Sequence, residues 1–96
     1  MMPLTVSCQP SAAGWSCAVS VGDDPGATHH EVAVSAADLE RLNPGASDPE
    51  ALVRAAFEFL LSREPRESIL SRFELPLIGR YFHGWEEEVA ERLAAS

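Results

Sequence analysis

"RESILSRFELPLIGRYFHGW", residues 66–85, holds two apolar runs separated by a short break, and the fold of the chain's second half hangs on them. Ile69, Leu70 and Phe73 recur at three- and four-residue spacing, as do Leu77, Ile78, Tyr81 and Phe82. Such spacing puts each set on one side of a helix. The pattern predicts two short helices, "RESILSRF" and "PLIGRYF", the second opening at Pro76, with Glu74-Leu75 as the turn between them. A helix-turn-helix has the same layout, and its second helix enters the DNA major groove. Here the residue types suit packing better than reading. Once four apolar side chains claim the inner face, Gly79, Arg80 and His83 are left outside, and only Arg80 pairs well with guanine edges. A packed helical hairpin is the expectation; a nucleic-acid-associated regulator using residues 67–83 is the alternative.

Charge favours the hairpin. All seven basic residues are Arg, against 15 Asp and Glu, for a net charge of −8. A chain this acidic repels nucleic acid and anionic lipid at long range unless basic groups concentrate on one face. Residues 1–53 carry one Arg against seven acids, residues 54–80 five Arg against four Glu, and residues 81–96 one Arg against four Glu. Nucleic acid is therefore not expected as a partner. No apolar run approaches the roughly 20 residues that cross a bilayer. The start, Met1-Met2-Pro3-Leu4, lacks a basic stretch followed by an apolar core and a small-residue cleavage site. A cytoplasmic location without membrane contact is expected.

Upstream, alternation has period two. Leu4, Val6 and Cys8 alternate with Thr5 and Ser7; Trp15, Cys17, Val19 and Val21 with Ser16, Ala18 and Ser20; His30, Val32 and Val34 with Glu31, Ala33 and Ser35. These are half-buried strands. "QPSAAG" and "GDDPGAT" supply turn residues, so the front of the chain predicts a three-stranded antiparallel meander over about residues 4–35. Ser35 with Asp38 resembles a capping box for a two-turn helix, "AADLERL", stopping at "NPG". Asp48-Pro49-Glu50 marks a stronger helix start, with Asp to cap, Pro for the first position and Glu for the positive end. The helix "PEALVRAAFEFLLSRE" that follows is apolar around more than half its circumference, as a central helix is, and Pro65 ends it. Gly84 permits a turn before a last helix, "WEEEVAERLAAS". The whole is expected to be one α+β domain over residues 1–96, with the helices of about residues 36–95 packed on one face of the sheet.

The run "FEFLLSREPRESILSRFELPLIGRYF", residues 57–82, resembles an FEFLLxREPxESILxRFxLxxIxRYF-type signature of small bacterial proteins of about this length with no assigned activity. The likeness covers mainly the helical half, and a proline near His83-Gly84 that goes with the family is absent. It implies one bacterial domain and supplies no catalytic residue.

Sites for chemistry are scarce. Cys8 and Cys17 are expected to be reduced and inward facing, set diagonally across a hairpin at about 7–8 Å, too far for a disulfide without distortion. His29, His30 and Glu31 are consecutive, and neighbouring strand residues face opposite ways, so they do not converge on a metal. Asp23-Asp24 fits a turn better than a calcium loop. There is no phosphate-cradling glycine loop, nucleophile elbow or dinucleotide fingerprint. No metal or cofactor is expected and no catalytic residue stands out, which leaves a small enzyme as the lesser alternative beside the nucleic-acid-associated regulator. What remains is a binding or protein-interaction module. Arg80, His83 and Trp85 are its candidate interaction site. The edge strands 4–8 and 29–35 and the flat outer sheet face are surfaces for a protein partner or a homodimer.

Overall fold

The period-two alternation becomes three strands, β1 (Leu4–Ser11), β2 (Gly14–Val21) and β3 (Thr28–Ser35), in a computed structural model that describes residues 3–23 and 25–95. Asp24 and Ser96 lie outside the described residues, so the expected Asp23-Asp24 turn and the last residue of the C-terminal helix fall partly beyond them. β1, β2 and β3 pair antiparallel. Val19, Val21, Val32 and Val34 are buried on one side, while Thr5, Ser7, Ala18, Glu31 and Ala33 are exposed on the other.

A two-residue turn, Ala12-Ala13, sets the register of the first hairpin, and this overturns the expected diagonal cysteines. Gly14 closes the turn at φ 151, against the Val34 carbonyl, where a Cβ has no room. Pairing Ser11 with Gly14 puts Cys8 directly opposite Cys17. Pro3 and Gly22 form a hydrogen-bonded pair at 2.9 Å, so by alternation Cys8 and Cys17 form a non-hydrogen-bonded pair, where opposed side chains lie closest. Their Cα atoms are 4.0 Å apart and the sulfurs are joined as a disulfide. Both face inward as expected, but as one cystine, not as two thiols.

After β3 come α1 (Ala36–Leu42) and α2 (Glu50–Leu61). The Ser35 hydroxyl accepts from the Asp38 amide at 3.0 Å, as the capping box predicts, and the Asp48 carboxylate accepts from the Glu50 amide at 2.9 Å. α2 is the central helix: Leu52, Val53, Ala56, Phe57 and Phe59 are all buried. Arg54 fixes it to the sheet edge by donating to the Leu4 carbonyl at 2.7 Å. The last helix, α3 (Trp85–Ala95), packs on α2 and buries Trp85 and Val89 in the core. Glu86 and Glu88 tie it to Arg41 of α1 at 2.7 Å and to Arg63 at 3.5 Å. Glu86, and then Asp38, hold the Arg41 guanidinium above its already high pKa.

Between α2 and α3 the structure departs from the expected pair of helices. Residues 66–73 are not a helix but a 3-10 turn (Arg66–Ser68) and a fourth strand, β4 (Arg72–Glu74); residues 75–80 are a 3-10 helix. β4 pairs parallel with β3, so the expected three-stranded antiparallel sheet is a four-stranded mixed one in the order β1-β2-β3-β4. Strand 29–35 is consequently not an edge. The two α-helices that a helix-turn-helix requires are not found in residues 67–83. The class remains α+β, with the helices roughly in the C-terminal half and on one side of the sheet.

Candidate functional site

Leaving α2, the chain is made to turn by local chemistry. The Ser62 hydroxyl donates to the Phe59 carbonyl at 2.6 Å, and the Arg63 and Glu64 amides both reach the Leu60 carbonyl at 2.9 Å. Pro65 has no amide hydrogen and holds the backbone extended, at ψ 155. Arg66 then anchors the segment by donating from Nη1 to the Val21 carbonyl at 3.0 Å. Gly22, at φ 95, lies against that guanidinium, and a Cβ there would collide with it. Glu67 is fully exposed, yet a hydrogen bond from its own backbone amide, and secondarily the Arg66 guanidinium, hold its carboxyl below the usual carboxylate range.

His30 makes the next attachment. It is 5 % exposed, its Nδ1 donates to the Leu70 carbonyl at 2.8 Å, and the Thr28 hydroxyl lies 3.0 Å from Nε2. With a backbone carbonyl as the partner of Nδ1, that nitrogen must carry the proton, and the hydroxyl serves Nε2. The ring meets Phe57 at 5.3 Å, and Phe57 meets Phe73 of β4 at 6.1 Å, so an imidazole and two phenyl rings join β3, α2 and β4.

With its backbone held this way, the segment frames a groove of about 520 Å³ beside β4. Leu60 contributes from the end of α2 and the half-buried Glu64 from the turn after it; Ile69, Phe73 and Ile78 are buried in its floor. Phe82 closes one end, edge-on to Phe59 at 5.6 Å. Leu70 and Tyr81 stand at the lining 48 % and 67 % exposed, and among the described residues they are the large hydrophobics left exposed. Helical spacing had placed both inward. Neither lies in a helix: Leu70 sits in the link before β4, and Tyr81 follows the 3-10 helix, whose buried residues are Leu75 and Ile78.

Of the sequence-derived candidates, Arg80 and His83 are exposed, and Trp85 is 4 % exposed, in the core against Gly79. No hydrogen bond or ion pair joins the three. A second groove, of about 440 Å³, lies between α2 and α3 and mixes Asp48, Glu50 and Glu58 with Arg54 and Arg92. On the outer sheet face the Ser20 hydroxyl and His29 Nδ1 are 3.0 Å apart, and neither groove borders them. No cluster of three or more His, Cys, Asp or Glu placed to hold a metal occurs among the described residues, and no helix is long and apolar enough to cross a membrane. Comparison with protein-family models, curated proteins and solved structures finds no match to the chain.

Proposed function

We propose that the protein is a small protein-interaction module whose binding surface is the groove beside β4. The observation that carries this reading is the coincidence of the exposed large hydrophobics, Leu70 and Tyr81, with the lining of one apolar concavity. Exposed apolar area gathered on a concave surface marks a site that a partner covers, whereas scattered single residues do not. The stretch that resembles the bacterial signature, residues 57–82, is the stretch that forms the groove, and membership of that bacterial family is part of the proposal. So is a cytoplasmic location. Cytosolic thiol systems keep most cysteine pairs reduced, so there the Cys8–Cys17 bond would be a reversible one, which alkylation in intact cells before lysis reports.

A photo-crosslinking residue at position 81, compared with one at position 20 on the outer sheet face, tests the interaction. Discrete adducts from position 81 that disappear with Leu70→Asp are expected. Adducts indifferent to Leu70→Asp, or formed equally from position 20, would remove the groove from consideration.

A further inference from the structure

The parallel ladder fixes where the backbone of β4 points. The Glu31 amide donates to the Ser71 carbonyl at 2.7 Å, and Glu31 pairs with Arg72. In such a ladder alternate residues serve alternate neighbours, so Phe73 bonds back to β3 while Arg72 and Glu74 turn their backbone groups away. The Glu74 carbonyl begins the 3-10 helix, which leaves the Arg72 amide and carbonyl and the Glu74 amide directed to the open edge. Phe73, between them, points to the helical side of the sheet and lines the groove. Glu64 is the charged group of the lining, and it makes no ion pair among the described residues.

We infer that the groove takes an extended segment of a partner protein, added to the free edge of β4 as a fifth strand, with an apolar side chain seated beside Phe73 and a basic residue facing Glu64. The inference rests on the groove being the interaction site and adds the occupant and its geometry. Strand addition supplies backbone hydrogen bonds for affinity, and alternate side chains fall on one face for specificity. A residue opposite Phe73 therefore drops into the groove, while its neighbours lie over the outer face beside Arg72 and Glu74. Charge is complementary, because the protein is −8 overall and the lining carboxylate has no ion pair among the described residues. The other edge, β1, is less suited. Its outward positions are Leu4, Val6, Cys8 and Pro10: Arg54 already occupies the Leu4 carbonyl, Pro10 has no donor, and neither groove borders them. A helical partner would fill the groove but offer nothing to the Arg72 and Glu74 backbone.

Selection of a random heptapeptide phage library on the intact, disulfide-bonded protein tests this. Selected peptides should carry apolar residues two apart and an Arg or Lys. N-methylating one of two successive amides should weaken binding at least tenfold and the other barely. Leu70→Asp and Glu64→Gln should each weaken it several-fold with the thermal midpoint unchanged, as both side chains reach solvent. Peptides with three- and four-residue apolar spacing, lost with Leu70→Asp but insensitive to N-methylation, would overturn strand addition and leave the interaction reading standing. A dimer in light scattering that Leu70→Asp dissociates would overturn it in favour of a second copy. No selected peptide sensitive to Leu70→Asp would overturn both readings.

Discussion

Three side chains, Cys8, His30 and Glu67, carry separate and measurable consequences. The disulfide closes a loop with a sequence separation of nine, so removing it as Cys8→Ala with Cys17→Ala should cost about 2–3 kcal/mol in urea unfolding. Protein purified without reductant should give no free thiol after unfolding. His30 holds a backbone carbonyl 40 residues away. His30→Leu keeps an apolar body but abandons the Leu70 carbonyl and the Thr28 hydroxyl, a loss of about 1–3 kcal/mol by the same measurement. Glu67 reports on pH. Its carboxyl pKa is lowered by folding, so its small contribution to stability is present above the ordinary carboxylate pKa and lost as pH falls through the lowered one. NMR titration of the Glu67 carboxyl should find a midpoint below that of the urea-unfolded chain. Arg66→Ala should restore only part of the difference, since the backbone hydrogen bond is the larger cause.

Among the elements, β4 and the 3-10 helix after it are short, and besides the ladder to β3 and the His30 bond they depend on packing of Phe73, Leu75 and Ile78. Phe73→Ala should cost about 3–5 kcal/mol, a large share of a domain's typical 5–15, and Phe82→Ala should also lower the midpoint. Arg80→Ala, fully outside, should stay within about 0.5 kcal/mol. These same elements were the illegible part of the sequence. The strands of the meander and the Ser35 cap could be read because each strand carries a consistent alternation and the Ser35 side chain lies within a turn of the amide it serves; Asp48 does bond the Glu50 amide, but Pro49, expected as the first helical residue, is the N-cap. β4 is three residues long, and while Ile69, Phe73 and Leu75 fit the alternation of a strand, Ile69, Leu70 and Phe73 fit a helical spacing equally well. What makes it a strand is β3, distant in sequence, and the His30 bond beside it. The groove was missed for the same reason: Leu70 and Tyr81 point outward only once their segment is known not to be helical. Trp85, a candidate from sequence, lies in the core, where it opens α3 and packs against Gly79 of the 3-10 helix. The cysteines were misplaced by a register that depends on a two-residue turn.

At the scale of the whole molecule, the helices cover one face of the sheet and leave the other to Ser, Thr, Ala and a Glu31–Arg72 pair at 3.5 Å. The acidic charge is spread over both halves. Affinity for random duplex DNA should accordingly be negligible even at low salt, where phosphate contacts are strongest; submicromolar binding in fluorescence anisotropy would contradict it.

Because β4 reaches β3 across the whole of α1 and α2, the molecule also has an order in time. The meander needs only neighbouring residues to meet, whereas the fourth strand must wait for a long loop to close, and non-local pairing of this kind forms slowly. The groove is therefore expected to form after the meander, which pulse-labelled amide exchange during refolding would check by later protection of residues 72–74 than of β1 and β2. Reversed, the same topology makes residues 69–82 a unit that can detach while β1, β2 and β3 stay paired and cross-linked. A partner that binds only the assembled groove would then act as a clasp on the least secure part of the chain, slowing amide exchange there first and elsewhere little.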